Sequence, residues 1–198
     1  MMQHILILSS IVVVVWFIVI YFLPAMVMSV YKRAILVNGF GEGPIKINTL
    51  YTQSQAQFSD PLHSSGSHLT VTGVNRDTIV TIGWLDLRNG PLILHVPDMS
   101  DRYYSVQLTD PMKNTVIAYV GKRTTGTEAG AYCISGPGWK SGAAREVERE
   151  ARQATAPEMP EMPQIHSPNN SILVIGRVLV YDNEDLPTAY NLSKQLHL

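Results

Sequence analysis

The chain of 198 residues has one cysteine, Cys133, and so cannot close a disulfide within itself. Nothing in it has the cysteine and histidine spacing of a zinc site. Fifteen Lys and Arg against sixteen Asp and Glu leave a formal charge of −1, which gives no electrostatic footprint for DNA or RNA and excludes nucleic acid as a partner class. Catalytic signatures are missing as well. There is no G-x-S-x-G elbow, no H-E-x-x-H helix, and no histidine close to Cys133 in sequence. Gly39, Gly41 and Gly43 are neither preceded by a strand nor followed by Gly-Lys-Ser/Thr, so they mark a hinge and not a phosphate loop. His63 and His68 flank a polar S-S-G-S loop with no third ligand in reach, the pattern of solvated side chains. No catalytic residue, cofactor or metal is assigned.

Charge is also missing from the N-terminus, where Met1 to His4 carry no Lys or Arg. From Ile5 to Leu23 the residues are apolar apart from Ser9 and Ser10, and the run continues to Val30 before Lys32 and Arg33 close it. About 20 apolar residues span the hydrocarbon core of a bilayer, and a cleavable signal peptide has a basic start and a shorter apolar core. Residues 1–31 are therefore read as a retained single-pass anchor, with Tyr21 and Phe22 able to reach the interface. Residues 32–68 form a connector: helix to about Val37, a turn over Asn38 to Pro44, then a modestly polar stretch.

Beyond Leu69 the hydrophobic period changes to two, and residues 69–198 are expected to form one mainly β domain. Short strands are expected at Leu69–Val71, Ile79–Leu87, Leu92–Val96, Arg102–Thr109, Val116–Val120, Ala131–Ser135 and Ile172–Val180. Asn89-Gly90 signals a hairpin that returns Leu92–Val96 against the strand before it. In Arg102–Thr109 the residues Tyr103, Ser105, Gln107 and Thr109 make a polar, ligand-accessible face opposite Tyr104, Val106 and Leu108. This rhythm of strands and turns predicts a sandwich or jelly-roll-like fold closed by a C-terminal helix over Asn183 to Leu198. Residues 143–165 break the rhythm: Ala143 to Ala154 has helical spacing, and A-P-E-M-P-E-M-P from Ala156 to Pro163 must be extended because proline recurs every third residue.

The ordered run N-R-D-T, W-L-D-L, G-P, V-P-D, R-Y-Y-x-x-Q-L-x-D, N-T, A-Y-V-G-x-R-T-T-G-T, G-P-G-W-K, S-P-N-N and I-G-R-x-L-V resembles the domain of unknown function 1254 family and covers roughly Asn48 to Leu196. The resemblance implies a mostly β fold with the motif residues at one end of it, in proteins many of which are exported or membrane-anchored in bacteria. Longer members carry a second domain, of the 1214 type, which is not seen here. The segment from Ala143 to Gln164 departs from the family pattern, in which G-P-G-W is followed more closely by the S-P segment.

Ligand-binding candidates are Asn75, Asp77, Trp84, Asp86, Arg102, Tyr104, Gln107, Asp110, Arg123 and Arg177. The carboxylates suit acid/base work and the guanidinium groups suit an anion or sugar, while Trp84, Tyr103, Tyr104, Tyr119 and Trp139 could stack on a flat ligand. Turn chemistry explains part of the same set, Asp98 in P-D-M-S-D among them. Two functional classes stand. One is an anchored binding or interaction module in a larger assembly, its protein partner a chain with the 1214-type domain or a membrane complex; the other is a hydrolase-like enzyme using the Asp and Arg cluster. Lys32 and Arg33 after a bare N-terminus favour the cytoplasm for the domain by the positive-inside rule, whereas the family resemblance places it in the periplasm, on the outer side of the inner membrane, and that placement is adopted.

Overall fold

The computed structural model describes residues 2–39, 43–54, 77–113, 115–139 and 162–198, with side chains from Ser10 onward. The expected strand Leu69–Val71, the helical stretch Ala143–Ala154, the proline-spaced run up to residue 161, the histidines His63 and His68, and Asn75 all lie outside these residues.

The apolar N-terminal run is helical. Helix α1 spans Met2–Asn38, 37 residues that at about 1.5 Å each extend about 55 Å. Its section from Ser10 is long and apolar enough to cross a membrane, and the large apolar side chains from Ile11 to Leu23 project outward, each at least 51% exposed. Gly39 ends the helix at φ 55°, donating its N–H to the Ile35 carbonyl at 2.9 Å. Only glycine fits here, because a Cβ would collide with the Gly43 carbonyl oxygen.

The domain consists of two sheets. Strands β1 (Leu50–Thr52), β2 (Thr78–Asp86), β4 (Tyr104–Asp110), β5 (Thr115–Gly121) and β8 (Ser171–Leu179) make a five-stranded sheet in the order β1-β2-β8-β4-β5, each neighbour antiparallel. Strands β3 (Leu92–Val96), β6 (Gly130–Ser135) and β7 (Gln164–His166) make the second, with β3 antiparallel and β7 parallel to β6. Alternation assigns the faces. Ile79 and Leu85 of β2, Tyr104, Val106 and Leu108 of β4, and Val174 and Val178 of β8 point inward to meet Leu94, Val96 and Ile134 of the other sheet in one core. Helix α2 (Leu186–Gln195) follows the last strand and packs Leu186 and Ala189 into that core, with Leu196 just beyond it.

Two expectations need correction. Asn89-Gly90 does not fold β3 back on β2. Both edges of β2 are occupied, one by β1 and the other by β8, so no ladder remains for β3. The turn instead carries the chain from one sheet to the other. Gly90 is at φ 149°, and the Trp139 ring would lie 3.5 Å from a Cβ placed there. Residues 32–68, assigned as a connector, contribute an edge strand of their own: Leu50, Tyr51 and Thr52 pair with Gly83, Ile82 and Thr81. Three residues are too few to show a period.

The end of α1 is built into the domain. Ile35 is buried with Ile45, Ile82, Trp84 and Leu173, and Met28, Tyr31, Leu36, Tyr51 and Ile175 pack around them. The outer face of the five-stranded sheet thus has a core of its own, whose lid is the last turns of the helix. Ile45 donates its N–H to the Leu36 carbonyl at 3.0 Å, fastening the returning chain to the helix.

Candidate functional site

Antiparallel register divides the candidate residues between the two ends of the sandwich. Asp86 pairs with Ser171 at one end of β2 and β8, and Thr78 pairs with Leu179 at the other.

At the first end, Trp84 is buried under α1. Its indole N–H donates to Ser171 Oγ at 2.7 Å, and Lys32 Nζ sits 5.1 Å from the ring centroid. Asp86 closes β2 with a backbone exchange: its N–H donates to Asn48 Oδ1 at 2.7 Å, and Asn48 Nδ2 donates to its carbonyl at 3.2 Å. The Asp86 carboxylate accepts from the Arg88 N–H at 3.1 Å and from Nε at 2.9 Å, and pairs with Arg88 Nη2. The Arg88 guanidinium holds this carboxyl at about 2, well below the usual range. Asp110 is fully buried. Its Oδ1 accepts from the Met112 and Lys113 N–H groups at 2.9 and 3.3 Å, and its Oδ2 accepts from Asn169. Asn170 accepts the Leu87 N–H at 2.8 Å through its carbonyl, and Trp139 donates its indole N–H to Leu87 O at 3.2 Å. W-L-D-L-R-N-G-P, L-T-D, G-P-G-W and S-P-N-N therefore meet at one place.

The other end is organised by Arg102. Its guanidinium makes two parallel bonds to the Asp185 carboxylate, donates to Leu179 O at 2.7 Å, and lies 4.8 Å from the Tyr181 ring centroid. Asp185 stands at the N-cap position of α2, yet its carboxylate makes no cap bond because Arg102 and the Tyr181 N–H take it. Arg102 holds its carboxyl below the ordinary value. Asp77 is exposed, its carbonyl accepting from Val180 N–H at 2.8 Å. Asp98 makes the expected turn bond, accepting from Ser100 N–H at 2.7 Å. Arg123 is exposed and lies over the Tyr103 ring at 5.5 Å.

Three candidates lie elsewhere. Tyr104 faces the core, where burial pushes its hydroxyl pKa up. Gln107 is on the outer face and donates to Thr109 Oγ1 at 2.8 Å. Arg177 is exposed on the same face. The candidates do not converge on one site. Trp84 and Tyr104 are covered by protein on the faces where a ligand would stack, because helix α1 and the second sheet lie over them. The motif residues occupy both ends of the fold, not one. Among the described residues, no three His, Cys, Asp or Glu gather closely enough to hold a metal ion.

The residues that complete these clusters were outside the candidate set. Arg88 was findable, since an aspartate at a turn reaches the backbone N–H two residues on. Asn48, Asn169, Ser171 and Asp185 carried no such signal, for their partners are 38 to 139 residues distant.

The model of DUF1254, described as a protein of unknown function, matches residues 51–198. The chain belongs to the DUF1254 family. Among solved structures this DUF1254 chain is similar to the VPA0106 protein from Vibrio parahaemolyticus, at 20% identity and a TM-score of 0.58. That alignment covers 88% of this chain and 35% of the other, so the chain spans about a third of that neighbour's length, and the likeness is one of fold. No curated protein matches.

Proposed function

We propose that this DUF1254 chain is a membrane-anchored binding module, held by α1 in the inner membrane with its domain in the periplasm, and that it works as a subunit or accessory protein of a larger assembly. The observation that carries the reading is the unequal cover of the five-stranded sheet. The β1-β2-β8 side of its outer face is sealed by the foot of α1. The β4-β5 side is open, and there Val116 and Tyr119 are 44% and 47% exposed on β5, which among the described residues has β4 as its only ladder partner. Met112, in the turn between those strands, is 52% exposed. An apolar stripe on an edge strand beside an apolar helix suits a partner that also crosses the bilayer, such as a chain with the 1214-type domain or a membrane complex. A hydrolase would need carboxylates converging on open space. Asp86, Asp110 and Asp185 are instead engaged by Arg, Asn and backbone N–H groups.

Extraction of native membranes in mild detergent, followed by native electrophoresis, tests the reading. The chain should migrate in a complex well above its own 22.0 kDa. Val116→Lys with Tyr119→Lys should release it as a folded monomer, and a wild-type monomer at native abundance would overturn the assembly. Protease added to spheroplasts should digest the chain beyond Arg33; protection with intact outer-surface controls would reverse the orientation.

A further inference from the structure

The segment after α2 returns to the edge of the three-stranded sheet and pairs with it at one point. His95 of β3 donates its N–H to the His197 carbonyl at 2.8 Å, and His197 donates its N–H to the His95 carbonyl at 3.3 Å. This double exchange is a hydrogen-bonded antiparallel pair, which sets two side chains directly opposite on one face. That face is the outer one, since Leu94 and Val96 on either side of His95 point into the core. The two imidazoles lie parallel, 9° between planes and 4.7 Å between centroids.

One ring of the pair, His197, also has a fixed tautomer. His197 Nδ1 lies 2.8 Å from the Gln195 carbonyl oxygen, which has only lone pairs to offer, so Nδ1 carries the proton and Nε2 keeps its lone pair. A ring N–H tied to a backbone carbonyl is the outer support that ligating histidines usually have. Two nitrogens bound to one cation at about 2.0–2.1 Å stand roughly 3 Å apart, and rotation of the His95 side chain, with the His197–Gln195 bond kept, turns one of its nitrogens toward His197 Nε2.

We propose that His95 and His197 form a two-histidine site for a divalent cation of the Zn2+, Cu2+ or Ni2+ class, which rivets the segment after α2 to strand β3. Imidazole pairs select these borderline ions over Mg2+ and Ca2+, which take oxygen ligands. Water completes the coordination, since no third His, Cys, Asp or Glu is grouped with the pair among the described residues.

The test uses the full chain in detergent, with Zn2+ and Mg2+ added separately while thermal unfolding is followed. Zn2+ at about 100 times its Kd should raise the unfolding temperature by about 5 to 10 °C, and Mg2+ should not. Electron paramagnetic resonance of the Cu2+ form should report two equatorial nitrogens. His95→Gln and His197→Gln should each abolish the Zn2+ shift, and His166→Gln should keep it. If His95→Gln lowers the metal-free unfolding temperature, the exposed His197→Gln decides. Absence of any Zn2+ shift up to millimolar, or an equal shift in the His197→Gln protein, would overturn the site.

Discussion

Each end of the sandwich has an arginine bonded by two nitrogens to an aspartate, and the two pairs have different consequences. Arg102 and Asp185 are 83 residues apart and almost enclosed, their side chains 9% and 15% exposed. Arg88 and Asp86 are two residues apart, and the guanidinium is 74% exposed. The first pair joins the start of β4 to the end of β8 and to α2, so it holds together elements that the chain leaves separate. The second stiffens a turn that is already local. Chemistry is shared; what differs is how much water and how much chain lie between the partners.

That contrast can be broken experimentally, beginning where the loss is largest. Arg102→Ala strands the Asp185 carboxylate in a partly buried place and should cost about 3 to 5 kcal/mol, or about 10 °C in unfolding temperature by calorimetry. A loss no larger than that of an exposed pair would remove the distinction between the ends. Gly136→Ala should cost about 1 to 3 kcal/mol, because its Cβ would strike Asn170 Oδ1 and come within 3.2 Å of Leu87 Cβ in the cluster where the motifs meet. Arg88→Ala should cost the least of the three despite the depressed Asp86 carboxyl, since solvent screens so exposed a pair. Chemical denaturation at 25 °C would separate these three.

Acid sharpens the same contrast. The Asp185 carboxyl is depressed in the fold by Arg102, so its contribution is complete above the ordinary value of 3.8 and is lost as pH falls below it. The stability gap between wild type and Arg102→Ala should thus be wide at pH 6 and narrow steadily below pH 3.8. A gap independent of pH would mean that Arg102 acts through packing on Tyr181 and Leu179 and not through charge.

Strand positions were legible because alternation is local: Ile79, Leu85, Val106, Leu108 and Val174 could be sorted from their neighbours alone, and six observed strands lie within two residues of the expected ends, while the three-residue β1 and β7 fall in stretches assigned as connector and surface insertion. Pairing was less legible. Asn89-Gly90 has the residues of a tight hairpin, and only the occupation of both edges of β2 diverts it. Trp84 has the type of a stacking platform, and only the return of α1 onto the sheet shows it as a packing residue. Sequence spacing could not bring Asp185 to Arg102 or Asn169 to Asp110, because closure over long loops is decided by the whole topology. Arg123, grouped with Arg102 at first reading, is exposed over the Tyr103 ring, and no carboxylate comes to meet it among the described residues.

The foot of α1 has a mechanical consequence. A domain hung from a slack tether spins freely, and a partner drifting in the same bilayer meets it at a random bearing. Here Ile35 and Leu36 are wedged against Ile82, Trp84 and Leu173, and Lys32 Nζ reaches Ser171 Oγ at 3.5 Å, so turning the domain means turning the helix. In a membrane, the open edge at Val116 and Tyr119 would keep a constant compass heading relative to the helix. Under the proposed assembly, an encounter between two such embedded proteins would become a search over one angle in a plane, with the helix as the keel that keeps the open edge abeam.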